Sequence, residues 1–174
     1  MPIRMLGLER NKVRIVPYQN AWVVLYKEIE KSLSDLLKDE TKDIAHVGST
    51  AIIGMAAKPI IDIAVAIRSP NSIEQIQSIL SPEKYEYRGP KVGGYLFVKR
   101  ENELTTQHIH FVLKSSKEWA DYLSFRDQLN SDEKLRKQYA ELKQKLAKKY
   151  TNHRGEYTKA KNEFISKVLL LTTP

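Results

Sequence analysis

The chain has 174 residues, 41% hydrophobic and 29% charged, with seven glycines, seven prolines and no cysteine. This size and balance suit a single globular unit with one well-buried core and exclude fibrous and disordered classes. The missing cysteines exclude disulfides and Cys-based zinc sites, and the net charge of +8 favours polyanionic partners.

The first eighteen residues carry scattered charges and no long apolar run, so neither a signal peptide nor an anchor is expected there. No segment approaches the roughly 20 apolar residues of a membrane span. The default expectation is a cytoplasmic protein away from membranes.

Val13 to Tyr18 alternates like a short strand that stops at Pro17. Asn20 then stands where an N-cap would, before a helix whose Trp22, Leu25, Ile29, Leu33 and Leu36 or Leu37 recur at helical spacing. Gly48-Ser49-Thr50 follows His46. A glycine that permits close approach, two hydroxyls and the start of a short helix reaching Ala57 form an anion cradle or, more plainly, a helix cap.

Pro59 to Ile67 has the β-branched content and length of a buried strand. By alternation Ile61, Ile63, Val65 and Ile67 share one face, while Ile60, Asp62, Ala64 and Ala66 share the other. A carboxylate in such a run needs a hydrogen bond, a cation or a metal. Lys58 shares its parity, and the alanines leave space beside Asp62 for a ligand.

A capped helix is predicted over 71–80, a strand from Tyr85, a hairpin punctuated by Gly89-Pro90 and Gly93-Gly94, and strands in YLFVKR and QHIHFVLK. In the last of these His108 and His110 share a face. Such a pair suits a divalent metal when neutral and phosphate when protonated, although it also occurs on polar edge strands with no role. Helices follow: one capped by Ser115 or Ser116, one over 132–150, and one carrying Tyr157, Ala160, Phe164, Val168 and Leu171. Between Ser131 and Lys167 eleven Lys/Arg face five acids, the pattern of a solvated helix surface or of a polyanion-binding one. Neither a GxGxxG nor a GxxxxGK[ST] pattern is present.

A Gly-Ser turn, twelve intervening residues and an aspartate on a strand resemble the signature of the DNA polymerase β-like nucleotidyltransferase superfamily. The chain also resembles the GrpB family, classed with that fold, in VPYQNAW, HVGSTAIIGMAAKPIIDI, QHIHFV, FRDQL and Tyr157-x-x-Ala160-Lys161-x-x-Phe164. The resemblance implies an α+β fold with a central sheet flanked by helices and a C-terminal helical segment. It would form one unit over 1–174, with a sheet-containing core near 12–114 and helices near 115–172.

It further implies that Gly48, Ser49 and Thr50 hold nucleotide phosphates, with Lys58, Arg126 and Lys161 as further phosphate partners. His46 lies in the same pocket, and Asp62, His108 and His110 are the metal-binding and catalytic candidates. Active superfamily members carry a second carboxylate beside the first, where this chain has Ile63 and Ala64. One aspartate with two histidines favours Mn²⁺ or Zn²⁺ over Mg²⁺. The implied partners are a nucleoside triphosphate and a small acceptor. The alternatives are a non-catalytic nucleotide or coenzyme module, or an RNA-binding protein using the basic tail.

Overall fold

A computed structural model describes residues 6–171. The expectation about a leader therefore falls partly on residues outside those described. In chain order the elements are α1 (Ala21–Leu37), β1 (Thr41–Val47), β2 (Ile61–Ile67), α2 (Ile73–Leu80), β3 (Tyr85–Lys91), β4 (Gly94–Glu101) and β5 (Leu104–Leu113). Four helices follow: α3 (Lys117–Ser131), α4 (Glu133–Lys149), α5 (Arg154–Ala160) and α6 (Asn162–Leu170). The strands form one sheet ordered β1-β2-β5-β4-β3, in which β2 and β5 run parallel and the other neighbours antiparallel. This is the expected α+β architecture, with helices packed on a mixed sheet. No helix among the described residues is long and apolar enough to cross a membrane.

The two faces of β2 behave as alternation requires. Ile61, Ile63, Val65 and Ile67 join Trp22, Leu33 and Leu37 of α1, Ile76 and Leu80 of α2, and Phe97, Ile109 and Phe111 in the main core. Trp22, Phe97 and Phe111 are fully buried there, and truncating a ring of this kind costs about 3–5 kcal/mol. Ala64 and Ala66 form the opposite face with Val47, Val112 and Trp119, so α3 fills the space that the alanines leave. The alanines therefore leave no ligand space of their own, which corrects the expectation of room beside them, while the Asp62 side chain at the end of the face stays 28% exposed.

Three further expectations change. Val13 to Tyr18 is no strand of the sheet; Val16 makes a single bridge to Ala57, and the Val13 amide donates to the Thr151 carbonyl. Pro17 and the short reach of the segment hold it to that role. Asn20 is already helical and makes no side-chain cap. The helix after Gly48 is a single 3₁₀ turn, Ser49–Ala51, because Ile52 returns to extended backbone.

The remaining loop to β2 is nevertheless well anchored. Ile52 and Met55 are buried with Phe125, Leu129, Tyr139 and Val168 of the C-terminal helices. Ser116 caps α3 by accepting from the Trp119 amide, and Asp132 caps α4 by accepting from the Leu135 amide. The last predicted helix is two, α5 and α6, meeting at Lys161.

Candidate functional site

The parallel pairing of β2 with β5 sets Asp62 opposite His108 and Ala64 opposite His110. With a period of two, all three polar side chains leave the same face. Asp62 Oδ1 accepts from His108 Nδ1 at 3.2 Å and from His110 Nε2 at 3.3 Å. The aspartate side chain is 28% exposed, so the group is sunk in the surface but reachable.

Strand β1 delivers the glycine turn to the same place, since Val47 pairs with Asp62. Gly48 has φ +69°, and a Cβ there would lie 2.9 Å from Asp62 Oδ2 and 3.0 Å from its Cβ. Only glycine satisfies both the left-handed backbone and the contact.

Burial opposes ionisation of Asp62, yet the hydrogen bonds from His108 and His110 outweigh it and hold the carboxyl well below its usual range. His110 is pushed down to about 4 by burial, which its bond to Asp62 only partly offsets. Lys91, at the end of β3, donates to His110 Nδ1 and to Tyr122 Oη of α3, the latter at 2.6 Å. Burial brings Lys91 down to about 8 while Asp62 pulls the other way.

The donor set fits a divalent transition metal. One ligand atom from each of Asp62, His108 and His110 lies within 4.8 Å of the others. Two ligands at about 2.1 Å and a right angle to one ion stand about 3 Å apart, close to the separations seen. One carboxylate and two imidazoles match Mn²⁺ or Zn²⁺ better than the all-oxygen shell of Mg²⁺. Both imidazoles need an adjustment, since each gives Asp62 the nitrogen that would ligate: His108 must carry its proton on Nε2 to free Nδ1, and His110 must do more. Its Nδ1 faces the Lys91 ammonium, so Nε2 carries the ring proton; freeing Nε2 means that Lys91 passes a proton to Nδ1 and the Nε2 proton leaves.

Other sequence candidates sit around this centre in different roles. His46 is buried, stacks on Tyr26 at 4.6 Å and is hydrogen-bonded to Thr50 Oγ1 at 2.9 Å. Thr50 is thus occupied inside the turn, which leaves Gly48 and the half-buried Ser49 at the surface. Arg126 donates to the His46 carbonyl at 3.0 Å and pairs with Asp127, pinning the end of β1.

Lys58 forms no ion pair with Asp62; its ammonium lies over the Tyr157 ring at 5.4 Å, as that of Lys161 does at 4.7 Å. The basic tail is not one exposed face. Lys143 is buried, and Lys137 and Lys167 pair with Glu133 and Glu163. Sequence reasoning missed Lys91 and Tyr122, which come from β3 and α3 and left no local signal.

Residues 12–170 match the protein family described as GrpB protein. Glutamate-rich protein GrpB of Alkalihalophilus pseudofirmus is 34% identical over 95% of this chain and 98% of its own length. UPF0157 protein YqkA of Bacillus subtilis is 30% identical over 90% of this chain and 46% of its own. Among solved structures, conserved protein GrpB from Enterococcus faecalis superposes with a TM-score of 0.81 at 28% identity, covering 89% of this chain and 94% of that one. The Cid1 poly(U) polymerase, in a mutant bound to MgATP, gives 0.53 at 16% identity over 75% of this chain and 45% of that chain. At that identity the likeness is one of fold, and the fold is nucleotidyltransferase-like.

Proposed function

This chain belongs to the GrpB family, and from that premise and the geometry at Asp62 we propose that it binds a nucleoside triphosphate with a divalent cation and transfers the nucleotidyl group to a small acceptor. The observation that carries the reading is the approach of Gly48 to Asp62. A glycine turn that admits phosphate and a carboxylate flanked by two imidazoles meet at one spot on a nucleotidyltransferase-like sheet.

Gly48 and Ser49 offer backbone and hydroxyl donors to phosphate oxygens. Asp62, His108 and His110 would hold Mn²⁺, Zn²⁺ or Mg²⁺, and a cation there supplies Lewis-acid charge to a phosphoryl oxygen. Arg126 fixes the turn through the His46 carbonyl, and Thr50 and His46 brace it from within. Lys58 and Lys161 add positive charge for the phosphates.

A second reading, a binding module without turnover, is favoured by one observation: the ligand group contains a single carboxylate. Transfer releases pyrophosphate and simple binding does not.

Thermal unfolding of the full chain with each of the four common nucleoside triphosphates and Mn²⁺, Zn²⁺ or Mg²⁺ tests the shared premise. Ligand at a hundred times its dissociation constant stabilises by about 2.7 kcal/mol, and a chain of this size gains roughly 2–4 °C per kcal/mol. A metal-dependent gain that disappears in Asp62→Asn is the expected outcome. Flat curves under every condition overturn both readings.

A further inference from the structure

The C-terminal helices bury one face against the loop before β2 and leave another uncovered. On α4 the side turned inward carries Tyr139, Lys143 and Leu146. Beside that stripe Leu135, Gln138, Leu142 and Lys145 recur at three- and four-residue intervals, which places them on a common face. With Phe164 of α6 and Leu171 just beyond it, they line an open groove of about 590 Å³.

The groove continues into exposed apolar surface. Leu171 and its chain neighbour Leu170 are 66% and 71% exposed, two adjacent leucines in water where α6 ends. A single exposed leucine is ordinary. A groove lined by leucine and phenylalanine, with two exposed leucines at its end and charged residues at its rim, is the pattern of an interaction surface.

The rim carries its own complement. Glu141 and Lys145 both border the groove, one helical turn apart and of opposite sign. Their order, acid four residues before base, is the one that helices close most readily. Elsewhere in this protein pairs at that spacing are closed: Lys137 with Glu133, Lys167 with Glu163, Lys117 with Asp121 and Lys31 with Asp35. Among the described residues neither Glu141 nor Lys145 forms an ion pair. A two-fold axis crossing α4 between them sets each Glu141 against the partner's Lys145, and each Lys145 against the partner's Glu141. A surface with both signs one turn apart is thus complementary to itself.

We propose that the groove between α4 and α6 is the interface of a two-fold symmetric dimer in solution, with a second copy of this chain as its occupant. The dimer covers the leucines at the end of α6 and closes two ion pairs that a single chain leaves open. A groove of this size belongs with the smaller specific interfaces, so the expected affinity is micromolar. The inference stands on the C-terminal helices and does not depend on the nucleotide reading.

Sedimentation equilibrium of the full chain across the micromolar range tests it. The average mass should rise with concentration to that of two chains and no further, because a two-fold contact closes on itself. Leu170→Gln with Leu171→Gln should weaken the association by about tenfold or more. Val23→Gln with Val24→Gln, which removes the exposed valine pair of α1, should leave it within about twofold.

The rim charges give a sharper signature. Glu141→Lys puts base against base across the axis and Lys145→Glu acid against acid, so each variant alone should sediment as a monomer. Mixed in equal amounts the two should associate about as tightly as the wild type, since every rim contact across the axis is then between opposite charges. Glu141, Lys145, Leu170 and Leu171 are all exposed, so folding is not at stake. A wild type that stays monomeric throughout overturns the dimer. So does a Glu141→Lys variant that associates normally by itself, a mixture that restores nothing, or a loss in the valine pair equal to that in the leucine pair.

Discussion

The Asp62 centre and the Tyr157 cluster lie in one part of the molecule and have opposite electrostatic needs. At Asp62 a single carboxylate is met by two imidazoles, and every partner is supplied by neighbouring strands of one sheet. Around Tyr157 two lysines, Lys58 and Lys161, stand over one ring, with Lys143 nearby over Tyr139, and among the described residues no carboxylate forms an ion pair with any of them. The first arrangement keeps its charge through hydrogen bonds that hold the Asp62 carboxyl well below its usual range. The second sheds charge instead: burial and mutual repulsion bring Lys58 down to about 7 and Lys143 well below its ordinary value.

The strongest way to break this comparison is Asp62→Asn. It removes the only charged oxygen from the imidazole pair, so all metal-dependent stabilisation should vanish in calorimetry with Mn²⁺. The lysines should feel the loss as well: without the Asp62 charge that eases it, Lys58 should be lowered further, read as a fall in its titration midpoint. Mn²⁺ stabilisation that survives the substitution would place the cation away from the imidazole pair.

Gly48→Ala probes the contact on which the Asp62 end depends. A left-handed non-glycine residue costs about 1–3 kcal/mol, and the new methyl group also meets Asp62 Oδ2 at 2.9 Å. The expected result is a lower melting temperature together with weakened Mn²⁺ binding. An alanine variant with normal Mn²⁺ affinity would show that the aspartate moves aside without consequence.

Both centres differ in how far the sequence revealed them. Asp62, His108 and His110 were visible because strand alternation places residues on a face without knowledge of the rest of the fold, and the order β2 beside β5 then needs only one pairing. Strand β1 was missed because Lys42 and Asp43 are exposed on an edge strand, where charge replaces the alternating pattern. The alanine face was seen but its occupant was not, since nothing in Ala64 or Ala66 says that Trp119 will cover them. Lys143 was hidden among the other lysines of α4, and its burial depends on Ala56, which lies eighty-seven residues away in sequence.

A smaller effect concerns pH. Burial depresses the pKa of His46 to about 4, against an ordinary 6.5. The folded state therefore takes up this proton later than the unfolded chain does, so stability is full above about pH 6.5 and declines as pH falls from there towards 4. Between pH 7 and pH 5 this one histidine removes about 2 kcal/mol. Denaturant midpoints should fall accordingly, and His46→Gln should flatten the slope by that amount. His110 contributes in the same sense, so some slope will remain in the variant; an unchanged slope would mean that His46 titrates normally.

The smallest expected difference is zero, and it decides whether the comparison describes one object. We propose that residues 1–174 fold as a single unit. The Asp62 centre could survive within the sheet alone, but the Tyr157 cluster cannot: Lys58 precedes β2, whereas Lys143, Tyr157 and Lys161 belong to the C-terminal helices. The links between those parts include the Ile52 and Met55 contacts with Phe125, Leu129, Tyr139 and Val168, the packing of Trp119 on Ala64 and Ala66, and the bonds from Lys143 to Ala56 and from Arg126 to His46. Both tryptophans, Trp22 and Trp119, report on packing against the sheet, while helical circular dichroism is weighted towards the C-terminal half. In one cooperative unit the two signals share a midpoint. If the helical signal melts first, the C-terminal helices come apart before the sheet does and the chain holds two cooperative units; Ile52→Ala, which cuts the packing between them, should then separate the midpoints further.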